Sequence, residues 1–336
     1  MANTLNPPFE YLLLVQESSY GVPVVSPVLG TSAIYIRLAG GNRFGMYGVP
    51  TKRKVASGGG YAAAGYAVSD QWVNAGNLSL ELTYSQAAFL FGWSVTTLNS
   101  GGTAPWTYAG VPGDMVSCSC YHGKMRSDGS MKIDGFLGTK VHTGKVSSSE
   151  GSGLVMMDLS LRAQAKIGAA YYWGGSYYNV ADPTGLSLAT GQAPADSVFP
   201  TDAALFVQSG GLTTFGGATN AMLNSLDLAW DNHLDSLYFQ SPFIQLDQKR
   251  GRSATCSAKV LYAATPDWQR QLETLYSGAA SFGWSNGLHG FTLNYQGNCL
   301  TDSVGYDLTP GKIYTLNIGL EMQRDTTNGD ITATVT

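Results

Sequence analysis

A chain of 336 residues with only 12% charged side chains and 42 glycines is long enough for two cores, sparsely charged and rich in turns. Its formal net charge of −4 and pI near 5.5 exclude the basic footprint of a protein that grips nucleic acid. Four scattered cysteines, Cys118, Cys120, Cys256 and Cys299, suit reduced thiols better than a disulfide framework.

Residues 11–15 form the first apolar run, with no basic region before it, so a signal peptide is not expected. No stretch approaches the ~18 apolar residues of a membrane helix. Residues 40–70 lack a clear period and are expected to form a long irregular loop. Their Lys52, Arg53 and Lys54 cluster, with Tyr61 among small residues, suits a contact between subunits. Next, "NLSLELTY" at 77–84 alternates as a half-buried strand and leads into "SQAAFLFGW". There Ser85 can cap a short helix whose apolar face carries Phe89, Leu90 and Trp93. Alternation returns at 131–146 and 153–167, which read as strands. Residues 169–202, rich in Gly, Pro, Ser and aromatic residues, read as a linker or packed arm.

Beyond that linker the plan repeats. Strands are expected at 224–234 and 253–264, followed by a second helix over 262–278. Thr265 can cap it, Pro266 suits its first position and Gly278 can end it. Trp268, Leu272, Leu275 and Tyr276 fall on one stripe and are expected to anchor the helix on its core. Strands at 290–297 and 312–323 follow. Both halves therefore read as strand, loop, strand, helix, strand, strand, which points to a divergent internal duplication. The expected fold is mainly β: two tandem curved β-sandwich or barrel domains, each with one packed helix, at 1–168 and 203–336.

Motifs with chemical meaning lack their structural context. "GWSNG" at 283–287 matches a nucleophile elbow but runs into a strand rather than a helix. "CSCYH" places Cys118, Cys120 and His122 on one strand face, too closely spaced for a structural zinc site. His142, His233 and His289 read as isolated, and Asp231 and Asp235 beside His233 as a solvated strand end. Gly58, Gly60 and Ala63 fit the loose dinucleotide pattern without a βαβ unit around them. No enzyme, cofactor or metal is expected.

The order of these segments resembles the major tail tube proteins of long-tailed bacteriophages. "VQESSYGVPV" at 15–24 is similar to that family's N-terminal segment, and "SLELTYSQAAFLFGWSV" to its strand-then-helix element. "DGFLGTKVHTGKVSSSEGSGLVMMDLSLRAQ" resembles its hairpin; "MLNSLDLAWDNHLDSLYF" and "DQKRGRSATCSAKVLYAATPDWQRQLETL" resemble a second copy of its strands and helix. The resemblance implies self-assembly into stacked rings around a channel, in a virion tail assembled in the host cytoplasm. It also implies passage of a tape-measure protein and viral double-stranded DNA through the lumen, and contacts with tail terminator and tip proteins. Two tube domains per chain favour three chains in a ring of six lobes, with six chains as the alternative. The rival readings are an outer-membrane porin, which shares the alternation and low charge, and a secreted glycan-binding sandwich.

Overall fold

The computed structural model describes residues 10–23, 28–29, 31–38, 49–56, 63–95, 106–109, 115–125, 131–149, 153–167, 170–173, 176–179, 212–215, 218–219, 223–237, 239, 244, 246–249, 251–261, 273, 277–307, 310, 315–322 and 331–336. The fold is mainly β, built from large antiparallel sheets.

The first half contributes β1 (Glu10–Ser19), β2 (Val22–Pro23), β3 (Ala33–Arg37), β4 (Val49–Ala56), β5 (Ala63–Glu81), α1 (Tyr84–Val95), β6 (Trp106–Ala109), β7 (Cys118–Met125), β8 (Met131–Ser149), β9 (Val155–Ala163) and β10 (Ala165–Lys166). β1 lies between β3 and β7. Its unbroken apolar run follows from burial on both faces: Leu12 and Leu14 join the main core, while Tyr11, Leu13 and Val15 build a smaller cluster with Tyr121. β9 alternates buried and half-buried residues along its length, because only one of its faces is covered. β8 is long enough to serve two layers. Residues 131–139 pair with β7, and residues 140–148 pair with β9.

The segment at 40–70 differs from the expected irregular loop. Val49–Ala56 and residues 63–73 form an antiparallel hairpin, with Lys52 opposite Val68, Arg53 opposite Ala67 and Lys54 opposite Tyr66. Backbone pairing builds this hairpin without apolar alternation, which is why a periodicity reading passes over it. Tyr61 lies outside the described residues. The stretch read as a linker opens on a second hairpin, β11 (Ala170–Trp173) with β12 (Ser176–Asn179).

The second half contributes β13 (Leu212–Phe215), β14 (Ala218–Thr219), β15 (Leu223–Asp231), β16 (Leu234–Leu237), β17 (Leu246–Lys249), β18 (Ser253–Leu261), β19 (Ser277–Ser285), β20 (Gly290–Asp307), β21 (Thr315–Met322) and β22 (Thr332–Val335). Its pairing order is β14-β13-β19-β20-β21-β18-β15. The first half runs β3-β1-β7-β8-β9-β5-β4 in the same connectivity. Even the irregularities correspond. The β8–β9 ladder is bulged between Val141 and Thr143, and the β20–β21 ladder between Thr301 and Ser303. The halves also join: β8 pairs with β15 from Thr143–Asp231 to Ser149–Ser225, and β22 pairs with β6. One apolar cluster runs through both.

α1 starts at Tyr84, two residues earlier than a helix capped by Ser85 would, and its cap is Thr83. The Thr83 hydroxyl accepts from the Gln86 N–H, and the Gln86 side chain accepts from the Thr83 N–H, both at 3.4 Å. This reciprocal pair is a capping box. The helix is also more than one-faced: Ala87 and every residue from Phe89 to Val95 are buried, so it lies inside the fold. For the second expected helix, Trp268, Leu272, Leu275 and Tyr276 lie outside the described residues. Glu273 is helical, but β19 begins at Ser277, so Gly278 is a strand residue paired with Cys299 rather than the helix terminator.

Candidate functional site

One face of the layer β4-β5-β9-β8-β15-β18-β21-β20 crosses from the first half to the second through the β8–β15 pairing. Its covered face carries Leu78, Leu80, Leu159, Leu226, Leu228 and Ile318. Period-2 alternation turns the intervening residues outward. They are mostly small and polar: Asn77 and Ser79 on β5, Ser160 on β9, Ser147 on β8, Ser225 on β15, Thr255 and Ser257 on β18, and Asn317 on β21. On β5, β9, β8, β15, β18 and β21 the outward charged residues include Glu81, Asp158, Asp227, Asp231 and Glu321 as well as Lys145, Arg162 and Lys259; β4, at the edge of the layer, adds the run Lys52, Arg53 and Lys54. Lys145 is neutralised by Asp227 across the β8–β15 junction at 2.8 Å. At that junction the face sinks into a shallow depression of about 520 Å³, lined by Asn77, Thr143, Asp158, Asp231 and Thr255 among others.

The two halves are clamped where the covered side of this layer meets α1. Asn232, fully buried, donates to the carbonyls of Ser94 and Val141, and its side-chain oxygen accepts from Arg252 Nε at 2.7 Å. Arg252 Nη2 reaches the Val95 carbonyl at 2.6 Å. Second-half side chains therefore satisfy the open carbonyls at the end of the first-half helix, where a cation is also favoured by the helix dipole. Arg162 makes the reciprocal link, donating to Leu234 O and Ser236 Oγ. Composition and periodicity gave no sign of Asn232 or Arg252, since each acts on a segment far away in sequence.

A second buried polar centre lies at Glu17. Its carboxylate accepts from Ser117 Oγ, from Ser119 Oγ at 2.8 Å, from the Gly21 N–H at 2.8 Å and from the Gly138 N–H at 2.7 Å. Gly138 sits at φ 61°, and an added Cβ would meet Gln164 Cβ at 2.6 Å, so the irregularity in β8 that aims its N–H requires glycine. This glutamate ties the N-terminal strand to β7 and β8.

The residues singled out for chemistry fall into structural surroundings. Ser285 sits at the end of β19, and its hydroxyl donates to the His289 carbonyl in the turn leading to β20. Cys118 and Cys120 are fully buried in the core, and burial pushes both thiols up, away from the reactive thiolate. His122 meets Glu10 at 2.5 Å. Among the described residues, no group of three or more His, Cys, Asp or Glu is arranged to hold a metal. His142 and His233, read as isolated, both approach Asp231, at 3.8 and 3.5 Å. Ser253 Oγ lies 2.9 Å from His233 Nε2, which gives a serine, histidine, aspartate order. The His–Asp separation exceeds hydrogen-bond length, the imidazole is half exposed, and Asp231 Oδ1 is occupied by the His233 N–H at 2.7 Å. With His233 at φ 45°, the group is a strand-end turn. Burial is the main cause lowering the pKa of His142, followed by the Arg162 charge.

Neither protein-family models nor characterised proteins match this sequence significantly.

Proposed function

We propose that the protein is a structural subunit of a bacteriophage tail, self-assembling into stacked rings that form the hollow tube through which DNA is ejected. The observation that carries this reading is the shared layer. Eight strands from both halves form one sheet with an apolar core side and a small-residue polar side, which is what a closed, sheet-lined channel requires of each chain. A chain with a formal net charge of −4 lets a polyanion pass without adhering. A porin would present an apolar band to lipid on its outer face; here the apolar face packs over α1 and the core.

In this reading the protein catalyses nothing and binds no metal. Three chains complete one ring of six lobes, and the β4–β5 hairpin, with Lys52, Arg53, Lys54 and Tyr61, reaches the next ring. The tape-measure protein and the DNA pass through the lumen, and terminator and tip proteins close the ends. Negative-stain images of the purified chain test it. Hollow tubes with three-fold symmetry and six lobes are expected; only detergent-dependent monomers, or solid particles, would overturn it. Trimming residues 51–65 is expected to leave rings that no longer stack.

A further inference from the structure

We propose that Asn286 is a site of self-modification: the main-chain nitrogen of Gly287 attacks the Asn286 side-chain carbonyl, closing a succinimide that water opens to aspartate or isoaspartate. The turn between β19 and β20 carries this, independently of the ring-forming reading. Ser285 opposite Gly290 ends the β19–β20 ladder. Asn286 N–H then donates to the His289 carbonyl at 3.2 Å, and Gly287 and Leu288 close the hairpin. The reactive group of the "GWSNG" motif is thus its asparagine and not its serine.

Electrophile, nucleophile and leaving group are each placed for ring closure. Asn286 Oδ1 accepts from the Leu288 N–H at 3.0 Å and from the His289 N–H at 2.8 Å. Two backbone donors can meet only the oxygen, so they fix the orientation of the amide. They also lie where negative charge develops as the nitrogen adds. Gly287 has no Cβ to shield its nitrogen, sits at φ 88° with open space around an added Cβ, and is exposed. Its N–H donates to Ser285 Oγ at 3.0 Å, an exposed hydroxyl that can pass the departing proton to water. Asn286 Nδ2, the leaving group, is buried and makes no hydrogen bond among the described residues, whereas a buried amide normally finds a partner. The contacts of this side chain therefore fall on the atom that gains charge and not on the group that departs.

In the step itself a bond forms between Gly287 N and Asn286 Cγ while the Gly287 proton leaves through Ser285 Oγ to solvent. The tetrahedral centre then expels Nδ2, which takes a proton from water and departs as ammonia. Water opens the succinimide at either carbonyl. One opening restores the main chain with an aspartate side chain; the other routes the main chain through Cγ and adds a methylene to it. Both add one negative charge at the hairpin tip, beside Leu288, which is 86% exposed. The isoaspartyl product also lengthens the turn that holds the His289 ring, stacked on Tyr84 at 3.8 Å where α1 begins.

The test incubates the full chain at mildly alkaline pH, in native buffer and in guanidinium chloride, and follows the peptide containing Asn286 by mass spectrometry. Loss of ammonia followed by the mass gain of an amide becoming an acid marks the two stages. Conversion is expected to run roughly tenfold faster in the folded chain than in the unfolded one, because the turn supplies the orientation. Asn328–Gly329, the other Asn–Gly pair in the sequence, is read from the same digest as the reference for sample handling. Ser285→Ala, at an exposed position, should slow the folded-state reaction several-fold and leave the unfolded rate unchanged. A folded-state rate at or below the unfolded rate would overturn the proposal. A faster folded-state rate that Ser285→Ala leaves unchanged would overturn the part given to the hydroxyl.

Discussion

The two halves share a strand order but not the means of holding it. In the first half, α1 is sealed inside, Trp93 donates to the Thr139 carbonyl, and Glu17 binds β1 to β7 and β8. In the second half, β13 takes the place of β1 against β19 with only two registered pairs, and β15 is supported on its far edge by β8. The same connectivity, down to the bulge in the long strand, survives in both. Strand order is thus specified by alternation and register, while buried polar centres are local additions that differ between copies. The comparison also shows dependence: the first-half helix ends on second-half side chains, so neither half is complete in its own hydrogen bonding.

The largest expected effect comes from the sealed helix. Trp93→Ala should cost about 3–5 kcal/mol in denaturant unfolding, and the loss should appear in one cooperative transition. Two separate transitions would break the claim that the halves fold together. Asn232→Leu should cost about 3 kcal/mol, because it removes the donors to the Ser94 and Val141 carbonyls and strands Arg252 Nε. A change below about 0.5 kcal/mol would mean the clamp is incidental. Gly144→Ala is expected to cost about 2 kcal/mol, since its Cβ would fall 2.1 Å from the Trp230 ring across the junction.

His142 sharpens the comparison by pH. Its folded pKa is lowered, chiefly by burial, so the folded state binds fewer protons than the unfolded chain. Stability from this residue is complete above the unfolded value of about 6.5 and declines as the pH falls from there towards the lowered folded value. His142→Gln should flatten that part of the thermal stability profile; an unchanged slope would show that other groups carry it. The smallest effect is expected at the surface: Lys145→Ala should change stability by less than about 0.5 kcal/mol, because both partners of the Lys145–Asp227 pair are well exposed.

Much of this architecture is legible in sequence. The alternation read at 77–84, 153–167 and 253–264 leads to β5, β9 and β18, where one-sided burial leaves a period-2 trace. β4 was hidden because its sequence, VPTKRKVA, carries no apolar alternation. The α1 cap was readable as Thr83-x-x-Gln86 but was displaced by the equally suitable Ser85. The surface was harder to read than the fold: the face shared by β8 and β15 depends on a pairing between residues about 80 positions apart, and no local pattern encodes it. The approach of His142 to Asp231 is hidden for the same reason.

β8 belongs to two layers at once, and this has a mechanical consequence. Residues 131–139 are bonded to β7, residues 140–148 to β9, and residues 143–149 also to β15. A pull along this strand loads those antiparallel bonds in shear, so they must yield together instead of opening one after another from an end. The strand can flex where its ladders are irregular, between Phe136 and Thr139 on the β7 side and between Val141 and Thr143 on the β9 side.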